Sequence, residues 1–192
     1  MQSRALILAS ASPRRQSFLA EAGIAFTVHP ADLDEKSFEK PGIKPADLAQ
    51  QLAIAKADAV AQIYPDHLIL AADTVVGLGH QILGKPEDEP HALQMLTSLS
   101  GSTHEVITGV ALVCRSTNYR ATECVISTVQ MRPLTPREIA DYVATQAWRG
   151  KAGGYGLQDN DAFVVCISGC PTNVVGLPMT TTRRMLAAAI NA

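Results

Sequence analysis

Two arginines, Arg14 and Arg15, directly follow Ser10-Ala11-Ser12-Pro13. Guanidinium groups grip phosphate oxygens in pairs, and hydroxyls at a helix start add donors beside backbone N–H groups that have no partner in the helix. That combination suits a polyanion. It suits equally a well-capped helix with two solvated arginines, and residue type alone leaves the two readings even. Asp73-Thr74 closes the apolar run Leu68–Ala72. A carboxylate at the end of a buried strand stands where α/β proteins put their sites, and it can hold a divalent metal or take a proton from water. A turn aspartate bonded to its own backbone is the plain alternative.

Three further groups have the right chemistry. Lys56, within Ala53-Ile54-Ala55-Lys56-Ala57, and Lys85, within Gly84-Lys85-Pro86, can each offset phosphate charge. Taken singly, a lysine is usually a solvated surface charge. Asp32, Asp34 and Glu35 form an acidic loop, solvent-facing by type, from which one carboxylate can join Asp73 on a hydrated Mg2+. The segment Gly150-Lys151-Ala152-Gly153-Gly154-Tyr155-Gly156-Leu157-Gln158 implies tight turns or close approach to a ligand. Its Gln158 offers both a donor and an acceptor, as reading a base requires, and fits an ordinary polar loop as well.

Alternating apolar and amphipathic runs must position these residues. Ala5–Ala9 reads as a buried strand. A helix follows to about Ala22, with Ser12 as N-cap and Pro13 at its first position, and Gly23 ends it. Phe26–His29 reads as a short strand, and 30–45 as a polar loop. Pro45–Ile63 is a long helix, with Leu48, Leu52, Ala55, Ala59 and Ile63 at helical spacing. His67–Ala72 is a strand ending at Asp73-Thr74, and Val75–Leu83 a hairpin around Gly77 and Gly79. Further on come a helix over Pro90–Leu99, strands over Val106–Cys114 and Thr122–Arg132 with a turn at Ser116–Asn118, and a helix over Pro136–Gln146. A strand over Ala162–Ile167 and a helix over Pro178–Ile190 complete the series. The mixture predicts an α/β or α+β chain with a mixed sheet and no sharp internal boundary.

Composition removes several function classes. The chain has 192 residues, 47% of them apolar and 18% charged, enough for one domain with a full core or two lobes sharing a cleft. A net charge of −2 without a basic run argues against general nucleic-acid binding. The apolar run at Ala5–Ala9 is too short for a signal core or a membrane span, so a cytoplasmic location is expected. Cys114, Cys124, Cys166 and Cys170 form no CxxC pair and read as free, buried thiols of a reducing compartment. The five histidines form no HxH or HExxH pattern. No GxSxG elbow or Walker A sequence is present, which counts against a His-metal site or a serine hydrolase.

Taken in order, the motifs carry more than any one of them. Leu8-Ala9-Ser10-Ala11-Ser12-Pro13-Arg14-Arg15, Asp34-Glu35, Leu52-Ala53-Ile54-Ala55-Lys56-Ala57, Ala72-Asp73-Thr74, Gly84-Lys85-Pro86, Lys151 to Gln158 and Val175-Gly176-Leu177-Pro178 together resemble the Maf (septum-formation) family over nearly the whole chain. The resemblance implies a single domain over 1–192 with a two-lobed α/β, mixed-sheet fold like inosine-triphosphate pyrophosphatase, and an active site in the central cleft. It also implies hydrolysis of nucleoside triphosphates to monophosphate and pyrophosphate with Mg2+ or Mn2+, and a homodimer. By position, Asp73 becomes the general base or metal-associated carboxylate, with Glu35 its companion and Lys56 and Lys85 catalytic. Ser10, Arg14, Arg15, Thr74 and Gln158 become substrate-binding. The pattern resembles the dTTP/UTP branch, because the 7-methyl-GTP branch carries Ser-Pro-Trp-Arg-Arg and a glutamate at position 158. A regulator of septum formation that binds nucleotide with little turnover is the alternative from another class; within the enzyme class the alternatives are modified pyrimidine nucleotides or another nucleotide such as 7-methyl-GTP. Asp159-Asn160-Asp161 replaces a common Gly-x-Gly, and Gly169-Cys170-Pro171 also departs from the family pattern.

Overall fold

The structure, a computed structural model, describes residues 4–157 and 163–190. The chain divides into two compact units, each gathered from separate stretches of sequence. The first comprises 1–73, 108–125 and 176–192; the second comprises 74–107 and 126–175.

The first unit is built around β1 (Leu6–Leu8), β2 (Thr27–Val28) and the opening half of β3 (Leu68–Leu78). β1 pairs in parallel with both, Ile7 opposite Thr27 and Ile69. Side chains alternate faces along a strand, and both faces of β1 and of the opening half of β3 are apolar, as parallel strands covered on two sides require; the edge strand β2 is exposed. Leu6, Leu8, Leu68, Leu70 and Ala72 share one core with Leu19 of α1 (Pro13–Glu21) and with Met179, Met185 and Ala189 of α6 (Met179–Ile190). Ile7, Ala9, Ile69 and Ala71 share another with Ala53, Ala57, Val60 and Ala61 of α2 (Pro45–Ile63). Small residues on both surfaces let α2 lie close to the sheet. Closest of all is Gly109, where a Cβ would fall 2.7 Å from the Gln50 Cα and onto the Ala49 carbonyl.

The second unit has its own core. Val76, Leu96, Leu99, Val106, Val129, Met131, Ile139, Tyr142, Trp148 and Phe163 pack together in it. Trp148 and Phe163 lie outside regular elements; the others come from β3 beyond Asp73, α3 (Glu89–Leu99), α4 (Pro136–Ala144) and parts of β5 (Thr103–Cys114) and β6 (Tyr119–Met131). β4 (Gln81–Leu83) folds back antiparallel on β3, and β7 (Val164–Ser168) pairs antiparallel with β6. The sheet order is β2-β1-β3-β5-β6-β7 with β4 against β3, so the expected mixed sheet is present.

Several local expectations change. β3 does not stop at Asp73-Thr74 but continues to Leu78, because backbone pairing extends the strand past two polar side chains. Gly77 lies within the strand opposite Ile82, leaving the hairpin turn to Gly79 and His80. Glu35–Phe38 forms one 3-10 turn within the loop. Ser12 stands at the N-cap position of α1 without its hydroxyl capping the helix; its own N–H instead donates to Ser10 Oγ at 3.3 Å. A short helix, α5 (Pro171–Val175), had no counterpart in the sequence reading. All four cysteines are free, as expected, though only Cys114 is buried.

Candidate active site

Alternation along β3 fixes where Asp73 points. Ile69 and Ala71 face the core shared with α2, so Asp73, two residues on, faces α2 as well. On α2, Ala53, Ala57, Val60 and Ala61 line the buried stripe, and Lys56, three residues from Ala53, falls on the same side. The two meet: Lys56 Nζ donates to Asp73 Oδ1 at 2.5 Å. Glu35, on its 3-10 turn, brings a second carboxylate to the same ammonium at 2.7 Å. Lys56 and Asp73 are only 7% and 4% exposed, whereas the Glu35 side chain remains 41% accessible. One cation is thus held between a buried carboxylate and one that reaches solvent. A charge this deeply buried is stable only when paired, so the cluster must form as a unit.

Arg15 completes this group. From the first turn of α1 its Nη1 donates to Ser10 Oγ at 3.0 Å and its Nε to the carbonyl of Gly176 at 2.8 Å. Loss of hydration is the largest influence on the guanidinium and lowers its pKa. The charges of Asp73 and Glu35 oppose that effect, and that of Arg14 adds to it. Arg15 therefore belongs to the same electrostatic neighbourhood as both carboxylates. Arg14 lies half-buried on the same turn. Within the first unit, then, Ser10, Arg14, Arg15, Glu35, Lys56 and Asp73 are gathered from the loop after β1, three helical turns and a strand. Their arrangement can bind a polyanion through the arginines and lysine, and can hold water or a hydrated cation through the carboxylates. Among the described residues no group of three or more His, Cys, Asp or Glu side chains is placed to hold a metal ion.

The remaining candidates fall in the second unit. Thr74 follows Asp73 on β3, half-buried and on the opposite face of the strand. Lys85 is exposed on the turn after β4. That turn is tied to the glycine segment, since the Gly153 N–H donates to the Gly84 carbonyl at 2.9 Å. Gly153 and Gly154 both adopt positive φ (68° and 76°), which a residue with a Cβ resists. Gln158 and the Asp159-Asn160-Asp161 departure lie outside the described residues.

A sequence model of the Maf-like protein family matches residues 5–189. The chain belongs to the Maf family. A dTTP/UTP pyrophosphatase from Syntrophomonas wolfei is 45% identical over 94% of this chain and 95% of its own length. Another from Citrifermentans bemidjiense is 44% identical over 93% and 92%. A third, from Zymomonas mobilis, is 46% identical over 94% and 89%. Among solved structures, a HAM1 protein from Coxiella burnetii shares the fold with a TM-score of 0.54, 13% identity and coverage of 99% of this chain and 100% of that one.

Within this Maf chain, two features escaped the sequence reading. Gly176 accepts from Arg15 across 161 positions, a partnership without local signal, although Val175-Gly176-Leu177-Pro178 had stood out as a motif. His104, one of five scattered histidines, is 3% exposed and shares hydrogen bonds with Ser102 Oγ through Nδ1 (3.1 Å) and with Tyr155 Oη through Nε2 (2.6 Å). Burial lowers its pKa to about 4, so it is a neutral imidazole at neutral pH, and burial pushes the Tyr155 hydroxyl up. A lone histidine in sequence carries no mark of such a role.

Proposed function

We propose that this chain hydrolyses dTTP and UTP to the monophosphate and pyrophosphate, acting as one catalytic domain over residues 1–192, homodimeric and cytoplasmic. The observation that carries the proposal is the convergence of Glu35 and Asp73 on Lys56, with Arg15 alongside. It occurs in a chain that aligns over more than nine-tenths of its length with dTTP/UTP pyrophosphatases. No helix among the described residues is long and apolar enough to cross a membrane.

A triphosphate repels an incoming nucleophile, so neutralisation and positioning are the main tasks. Asp73 orients a water molecule and accepts its proton as the oxygen attacks the α-phosphorus. The bond to the bridging oxygen breaks and pyrophosphate departs. Arg14, Arg15, Lys56 and Lys85 stabilise the charge that builds on the leaving group, and Ser10 and Thr74 add hydroxyl donors. Gln158 pairs its amide with the O4 acceptor and N3–H donor of uracil or thymine. Asp73 and Glu35 would hold Mg2+ or Mn2+, which supplies charge neutralisation for the phosphates. Both carboxylates already meet at one cationic group, and two oxygen donors suit a hard ion whose other ligands are phosphate and water.

The test is pyrophosphate release from a panel of nucleoside triphosphates with each metal, wild type beside Asp73→Asn. UTP or dTTP turnover that falls about 10²- to 10⁴-fold in the variant is expected, the range for loss of a positioned base. In H₂18O the label should enter the monophosphate; label in pyrophosphate would mean attack at the β-phosphorus. Turnover of 7-methyl-GTP alone would overturn the substrate assignment, and tight binding without turnover would favour the regulator.

A further inference from the structure

We infer that His104 and Tyr155 are positioning residues that set the place of Lys85 for the reaction. The inference rests on the pyrophosphatase reading, in which Lys85 meets leaving-group charge. Its footing is a continuous set of contacts within the second unit. Ser102 immediately precedes β5, a strand in the middle of the sheet, and His104 is its second residue. Ser102 Oγ holds His104 Nδ1 at 3.1 Å, and His104 Nε2 holds Tyr155 Oη at 2.6 Å. The Tyr155 ring presses against Gly153, its Cε1 lying 3.1 Å from where a Cβ would stand. The Gly153 N–H then donates to the carbonyl of Gly84. The next residue, Gly154, abuts Pro86, whose Cγ lies 3.2 Å from a Cβ placed there. Gly84 and Pro86 flank Lys85, so both sides of the lysine are referenced, through Tyr155, to a central strand.

Burial gives that chain its stiffness. His104 and Tyr155 are 3% and 5% exposed. Both are neutral at neutral pH, so the hydrogen bond forms without the desolvation cost of an ion. Left without the hydroxyl, His104 Nε2 would be a buried polar atom lacking its partner, and the segment would shift to satisfy it. Small displacements of a charged group matter because stabilisation of leaving-group charge depends on placement.

The experiment is a double-mutant cycle of Tyr155→Phe with Lys85→Ala, assayed for pyrophosphate release from UTP. Tyr155→Phe alone should lower kcat about tenfold with KM changed less than about twofold, the pattern for an interaction made in the transition state. In the Lys85→Ala background the same change should cost less than about twofold. His104→Gln, whose amide can still reach Tyr155, should retain more turnover than Tyr155→Phe. Amide exchange at Lys85 and Gly153, measured on the same proteins, should quicken in Tyr155→Phe and stay slow in His104→Gln. An equal loss of kcat in both backgrounds, an unchanged kcat in Tyr155→Phe, or unaltered exchange would overturn the positioning role. A wild type that releases no pyrophosphate from any nucleotide would sink the pyrophosphatase reading instead, and the exchange measurement would still decide whether Tyr155 fixes the turn.

Discussion

The buried polar cluster around Lys56 in the first unit is charged and the one around His104 in the second is neutral, though both sit in apolar surroundings. Lys56, Asp73 and Glu35 form an ionic cluster whose outer carboxylate reaches solvent. Ser102, His104 and Tyr155 form an uncharged chain with both larger side chains almost fully covered. Burying an ion costs several kcal/mol that its partner only partly returns, whereas a satisfied neutral bond costs little. The buried ions of the first unit stand where the proposed chemistry needs charge, and the buried neutral groups of the second stand where backbone has to be held. The two units answer different physical needs with the same raw material, a few polar side chains against a sheet.

The largest expected effect breaks the ionic side of this contrast. Lys56→Met leaves Asp73 buried without its cation, and removing one partner of a buried pair costs about 3–5 kcal/mol. Chemical denaturation at neutral pH should show that loss, and turnover should fall together with it. Adding Asp73→Leu in the same chain should restore most of the stability and none of the activity. Stability unchanged in Lys56→Met would mean that the pair is hydrated, and that the ionic and neutral sets do not differ as argued.

The reach of sequence reasoning follows the same division. The bounds of Pro45–Ile63 were legible to the residue, because a proline at the first helical position and the following Tyr64-Pro65 agree. Its buried face was not: Ala55 and Ala59 are half-buried and Ile63 is exposed, and the covered stripe runs through Leu48, Leu52, Ala53, Ala57 and Val60 instead. Lys56 was visible only as one lysine among others. Its meaning depends on two periodicities, 3.6 on α2 and 2 on β3, that meet only once the helix is laid on the sheet. Asp73 looked like the end of a strand because side-chain polarity breaks the apolar run, while the hydrogen-bonded backbone of β3 continues through it. Arg15 and Gly176, and His104 and Tyr155, are bonds across long loops of chain and leave no trace in local pattern. Residue type marked the charged candidates even where their pairing stayed hidden; nothing marked His104.

The second expected effect probes the neutral chain. The pKa of His104 is about 4 when folded, below its ordinary 6.5. Between those values the unfolded chain binds a proton that the folded one refuses, so stability falls as pH drops from 6.5 and the loss is complete below 4. It amounts to roughly 3 kcal/mol from this residue. Denaturation curves at pH 7, 5.5 and 4 should show a steeper decline for wild type than for His104→Gln, which has no proton to gain. Parallel declines would show that the imidazole charges at little cost in the fold.

The smallest effect sharpens the contrast by placing charge at the surface of the second unit. Thr135 and Glu138 form a reciprocal cap at the start of α4: the Glu138 N–H donates to Thr135 Oγ1 at 3.2 Å and the Thr135 N–H donates to Glu138 Oε2 at 2.7 Å. Arg132 adds an ion pair at 2.7 Å, and its hydrogen bond is the first cause that holds the Glu138 carboxyl down at about 2. All of this lies in reach of water, so Thr135→Ala should cost only about 1 kcal/mol, the usual worth of an N-cap. Thermal unfolding measures that cost. Since the cap touches neither the ionic cluster nor the chain from Ser102 to Tyr155, kcat and KM should stay at wild-type values. A kinetic change in Thr135→Ala with the fold intact would mean that the placement of α4 feeds into the site.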